Sequence, residues 1–144
     1  MSAQATRLLA MLGSSLAVSS SACEAKPPTF TELMTLGGRE VAAETLNQGR
    51  DLYRIHCASC HGEGGAGDGP AARSLAFAPR DFRTAEFSFV EPGSLPTHEA
   101  LIEQIRQGVP ERGMPTWKGM REEDLSALAH YIQTFSPRWQ EAAS

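Results

Sequence analysis

Cys57 and Cys60 stand three residues apart, with His61 directly behind the second thiol, in the stretch RDLYRIHCASCH at 50–61. Two thiols and an imidazole at this spacing suit four chemistries: a small disulfide, half of a zinc site, a thioredoxin-type redox pair, or covalent attachment of haem. A glycine-rich run, GEGGAGDGP at 62–70, follows at once. The rest of the chain has to choose among them.

Zinc commonly takes two spaced pairs of Cys or His ligands. Here the second pair is missing, and His98 and His130 lie far apart in the sequence. A thioredoxin-type pair follows a strand inside a βαβ pattern, at a helix N-terminus that lowers the thiol pKa. This pair instead ends a helical pattern in a chain with no β framework. A disulfide across two residues is strained and constrains little chain. Haem attachment remains. Two thioethers reach two vinyl-derived carbons on one porphyrin edge, and the next residue brings its imidazole to the iron.

An iron held by one histidine has a sixth position, and its occupant sets what the protein can do. Met1 and Met11 belong to a leader and Met34 to an N-terminal extension, which leaves Met114, Met120, His56, His98 and His130. Met114 sits in ERGMPTWKG, where Pro110 and Pro115 stiffen the loop and Gly113 lets the backbone pass close to a flat macrocycle. A thioether there favours reduced iron and raises the potential. Met120 reads as a staple at the start of the following helix. His56 abuts Cys57 and reads as surface or propionate-side, His98 as solvated behind a helix cap, and His130 as exposed.

Three helical patterns must position these groups. The first, 42–55, places Leu46, Gly49 and Tyr53 on one face. The second begins behind Thr97, a good N-cap, and buries Leu101, Ile102 and Ile105. The third, 122–135, has Leu125, Leu128, Ala129, Ile132 and Phe135 as its stripe and three acids in its first turn. About forty Gly-, Pro- and Ala-rich residues separate the first two, a length that needs something besides regular structure to order it. No strand run stands out; FSFVE at 87–91 is short and isolated.

Residues 1–22 read as an export signal: Arg7, an apolar LLAMLGSSLAV, then small residues ending at Ala22. Cleavage there leaves Cys23 first, as in a bacterial lipoprotein, although Ser20 stands where such signals usually carry leucine. The alternative is an ordinary export signal that happens to contain a cysteine. Residues 23–41 form a tether or extension and 42–140 the haem-bearing domain. The formal charge of −4, or −5 once Arg7 is removed, argues against a nucleic-acid partner and suits docking on a basic protein face. No stretch approaches the ~20 apolar residues of a membrane span.

The segments GRDLYRIHCASCHG, GDGPAARSLAFAPRDF, GMPTW and LSALAHYIQTF together resemble the class I cytochrome c family, from about Thr45 to Phe135. The resemblance implies an all-α fold wrapped around one covalent haem c. Cys57 and Cys60 become the thioether sites, and His61 and Met114 the iron ligands. It further implies that the Pro70 carbonyl accepts the His61 N–H, and that Gly49 and Tyr53 cross Leu128 and Tyr131. Arg80 and Trp117 are candidate propionate ligands, with a surface cation and a core indole as their plainer readings. Arg121 departs from the usual Ser or Thr cap of the last helix. The role of the extension is open, cover for one haem edge being a candidate.

The function expected is a periplasmic carrier, not an enzyme, passing one electron between redox partners such as an oxidase, a dehydrogenase or another respiratory complex. The alternatives are a fixed haem subunit of such a complex, and a haem enzyme or gas sensor whose sixth ligand is labile. A lipid on Cys23 would tether the carrier to the membrane.

Overall fold

The computed structural model describes residues 27–141, so the leader and Cys23 readings lie outside the described residues. Helix α1 spans Ala43–His56 and α4 spans Glu122–Gln133, and no other pair of elements packs so extensively. Leu46, Gly49 and Tyr53 are the buried face of α1. A Cβ on Gly49 would lie 2.7 Å from the Ala127 carbonyl carbon and 2.8 Å from Tyr131 Cβ. Only glycine lets the two backbones meet so closely, which offsets its cost of about 1 kcal/mol in a helix. Ala127 and Tyr131 are the α4 residues that approach Gly49 most closely.

Helix α3, His98–Gln107, starts where Thr97 Oγ1 accepts the Ala100 N–H at 3.1 Å. It buries Leu101, Ile102 and Ile105 and packs on α4. Arg121 gives α4 no side-chain cap. Its Nε donates to Asp124 at 2.8 Å instead, and the first-turn acids Glu122, Glu123 and Asp124 complement the helix dipole.

The extension contains a hairpin that the sequence reading missed, so the fold is helical with a small sheet and not purely all-α. Strands β1, Met34–Leu36, and β2, Arg39–Val41, pair antiparallel. Gly37 and Gly38 turn between them at φ 56° and 78°, the successive positive values of a tight hairpin turn that glycine adopts without strain. A two-stranded ribbon is marginal alone. This one buries Leu36 and Val41, and the Gly37 N–H donates to the Trp139 carbonyl at 2.7 Å. Trp139 is buried on the short helix α5, Arg138–Glu141. Upstream, Phe30 and Asn47 exchange two hydrogen bonds, at 3.1 and 2.8 Å.

Between α1 and α3, a single helical turn α2, Ala58–His61, leads into a chain with two 3-10 turns, Ala72–Ser74 and Phe82–Thr84. Backbone bonds fold it onto α2: Gly69 N–H to the Cys60 carbonyl at 3.1 Å, Ala71 N–H to Ser59 at 2.8 Å, and Phe82 N–H to Gly65 at 2.7 Å. A Cβ on Gly69 would stand 2.5 Å from the Ala58 carbonyl oxygen, so the glycine permits this close passage. The buried Tyr53 hydroxyl donates to the Gly62 carbonyl at 2.8 Å, tying the loop to α1. Arg138 donates to the carbonyls of Thr84, Ala85 and Gly93 from the other end of the chain.

Candidate haem site

Cys57 ends α1 and begins α2. That one turn places Cys57, Cys60 and His61 on the wall of a single cavity. Leu101 and Ile105 of α3, Leu128 and Ile132 of α4, and Phe82 and Phe87 of the loop form its apolar walls.

Both thiols are free. Burial pushes the Cys57 thiol up to about 12, and the neighbouring Cys60 adds to the rise. A redox-active pair needs the opposite shift, so this environment disfavours the thioredoxin reading. His61 is held by two contacts. Its ring stacks on Phe82 at 4.4 Å between centroids, and its Nδ1 lies 3.1 Å from the Arg80 carbonyl oxygen. A carbonyl only accepts, so this contact puts the proton on Nδ1 and leaves the lone pair on Nε2. Burial lowers the His61 pKa, and the Arg80 carbonyl opposes the shift.

The acceptor is therefore the Arg80 backbone and not Pro70, which is exposed and does not line the cavity. The chain's close passage beneath α2 brings the PRDF segment to His61 instead. The exposed Arg80 also lines the cavity.

Met114 lines the same cavity from the loop between α3 and α4. Its backbone forms a two-bond bridge with Val109: Val109 N–H to the Met114 carbonyl at 2.9 Å and Met114 N–H to Val109 at 3.1 Å. Trp117 lines the cavity half-buried, its ring centre 4.9 Å from that of His56, and its backbone N–H donates to the Arg106 carbonyl at 2.9 Å. Met120 packs against the core and does not line the cavity. Among the described residues of the extension, 27–41, none lines the cavity.

Two histidine readings are corrected. His98 is not solvated: it is 7% exposed, its Nε2 lies 2.9 Å from Ser126 Oγ, and its ring stacks on His130 at 3.8 Å. His130 is half-buried in the same stack. Packing of α3 on α4 joins residues that are far apart in the sequence. Arg112 was missed as well. It lines the cavity with its guanidinium carbon 4.8 Å from the centre of the Phe77 ring. The lining holds two arginines and, among the described residues, no carboxylate.

The donor set fits a c-type haem: two thiols and an imidazole on one wall, a thioether on another, apolar side chains between, and cations for acidic substituents. The site and fold define a c-type cytochrome of the class I kind. The chain belongs to the family described as cytochrome c oxidase, cbb3-type, subunit III, which matches residues 44–132. Membership implies covalently bound haem c, for which Cys57, Cys60 and His61 supply the attachment motif.

Among solved structures, the chain is 37% identical to one described as the Kuenenia stuttgartiensis reducing HAO-like protein complex Kustc0457/Kustc0458. That match has a TM-score of 0.58 and covers 62% of this chain and 42% of that one. This chain thus spans less than half the length of that relative. A second, described as KustC0563 c-type cytochrome, is 31% identical over 61% of this chain and 96% of that one, with a TM-score of 0.47. No curated protein matches the chain.

Proposed function

We propose that the chain holds one haem c through Cys57 and Cys60, with His61 and Met114 as iron ligands, and passes single electrons between redox proteins outside the cytoplasm. The observation that carries this reading is the convergence of all four side chains on one apolar cavity. When bound, the haem supplies one-electron chemistry between ferrous and ferric iron. The protein supplies the setting. The Arg80 carbonyl fixes the His61 tautomer and leaves its Nε2 free to bind a metal. The bridge to Val109 restricts the turn from which Met114 projects. Apolar walls and a thioether disfavour the extra charge of ferric iron and raise the potential. Arg80 on the lining and the Trp117 indole are available to propionates. The domain is assigned to 42–140, preceded by the tether at 23–41.

Export rests on the leader reading, with a lipid on Cys23 as membrane tether. No helix among the described residues is long and apolar enough to cross a membrane. Mass spectrometry of the mature protein tests anchor and lipid together: one added haem mass is expected, and its absence defeats the proposal. The near-infrared methionine–iron band of the ferric protein tests the sixth ligand. We expect it to be present and to vanish in Met114→Ala, with a lower reduction potential. Ready binding of carbon monoxide by the unaltered protein would favour a sensor or enzyme instead.

A second reading, a fixed haem subunit of a larger redox complex, is favoured by the family's description as an oxidase subunit and by the relative described within a complex. Mild detergent extraction separates the two readings. A carrier elutes alone, and a subunit elutes with its complex.

A further inference from the structure

The segment Leu75–Arg80 touches both candidate iron ligands or their supports. At its end, the Arg80 carbonyl takes the His61 N–H. At its start, Leu75 meets the turn that carries Met114: a Cβ on Gly113 would stand 3.1 Å from Leu75 Cδ2. Gly113, beside Met114, has φ 90°, which only glycine adopts readily, so Leu75 packs against a turn with no side chain at that point. Between these points Phe77 offers its ring to Arg112, with the guanidinium carbon 4.8 Å from the ring centre. Leu75, Phe77, Arg80, Arg112 and Met114 all line the one cavity.

The two attachments are unequal. His61 stacks on the buried Phe82 and leaves the helical turn α2, whereas Phe77 is 46% exposed and its partner is a solvated arginine. An exposed cation–π contact is the weaker hold.

We propose that Phe77 and Arg112 form a clasp that holds the Met114 turn in place, with Leu75–Arg80 as the strap positioning both ligands, and that the clasp sets how readily an outside nitrogen base displaces the thioether. The proposal rests on the Met114 reading above. Phe77 and Arg112 are positioning residues in it.

The test uses the full haem-loaded chain in the ferric state, titrated with imidazole while the near-infrared methionine–iron band is followed. Phe77→Leu keeps apolar bulk and removes the ring face; Arg112→Gln removes the charge. Each is expected to tighten imidazole binding about two- to fivefold, the range an exposed cation–π contact supports. The double variant should do no more than either alone, and Arg112→Lys should stay near the unaltered protein. Unchanged imidazole affinity in both single variants overturns the clasp, as does a double variant that multiplies the two effects. Melting temperatures separate positioning from support, since a fall in melting with unchanged imidazole affinity also overturns it. If the band survives Met114→Ala, the ligand reading fails and the clasp with it. If the band needs Met114 but the clasp variants match the unaltered protein, the clasp alone fails.

Discussion

The α3–α4 pair has two unlike sides. Toward the cavity it presents Leu101, Ile105, Leu128 and Ile132, core residues that also line the apolar wall of the candidate haem site. Beside the hairpin it buries His98 and Gln133 near Leu36, Gly37 and Trp139, none of which lines that cavity. One side borders the proposed haem site and the other does not. Burying apolar surface contributes roughly 25 cal/mol per Å², so haem bound in the cavity would add to the stability of the first side, while the second rests on the chain's own side chains.

The largest expected effect comes from withholding the haem. A Cys57→Ser, Cys60→Ser variant, which cannot be anchored, should lose most of its helical circular dichroism and show no cooperative melt. A cooperative, native-like melt would mean that the loop bonds to α2 and the hairpin clip suffice without the cofactor.

On the hairpin side, Trp139→Ala should cost about 3–5 kcal/mol in urea unfolding of the haem-loaded protein, the usual range for deleting a buried tryptophan. Its Soret and methionine–iron bands should not move, because Trp139 is no part of the cavity wall. A shifted band would show that the two sides are coupled.

What could be read from the sequence follows the same division. The three main helices were legible because their apolar periods are long and their ends marked, as at Thr97 and the acids of 122–124. The attachment motif was legible because C-x-x-C-H is local, and the place of Met114 on the cavity wall because Gly113 and the flanking prolines mark its loop. The hairpin was not: three-residue strands are too short for a period, although Gly37-Gly38 was a turn signal that could have found it. A backbone acceptor has no signature in residue type, so the partner of His61 fell to Pro70 when the loop's path delivers Arg80. The burial of His98 depends on Ser126 and His130 from another helix.

Gly49→Ala probes the α1–α4 crossing that both sides share. Its new methyl would meet the Ala127 carbonyl and Tyr131 Cβ, and forced overpacking of this kind costs about 1–3 kcal/mol. Urea midpoints of the haem-loaded protein should fall accordingly. An unchanged midpoint would mean that the helices can part without loss.

The smallest effect is a pH dependence confined to the hairpin side. Burial, then the neighbouring His130 and Arg39 charges, lowers the His98 pKa to about 4, and burial lowers that of His130. An unfolded histidine titrates near 6.5, so between these values the unfolded chain binds a proton that native His98 refuses. The contribution is therefore present above pH 6.5, is lost as pH falls toward 4, and is flat below. Glu99 and Arg39 stand beside the pair, but the Glu99 carboxyl is held below its ordinary range by its own backbone N–H and by Arg39, so its loss comes only at lower pH. The window from pH 6.5 to 5 thus belongs to the histidines. The urea midpoint of the haem-loaded protein should fall across that window, and less steeply in His98→Gln. Protons taken up by the rest of the unfolded chain are common to both proteins and cancel in the difference. Equal slopes would mean that the His98–His130 stack admits a proton while folded, and the hairpin side would then be less tightly closed than its packing requires.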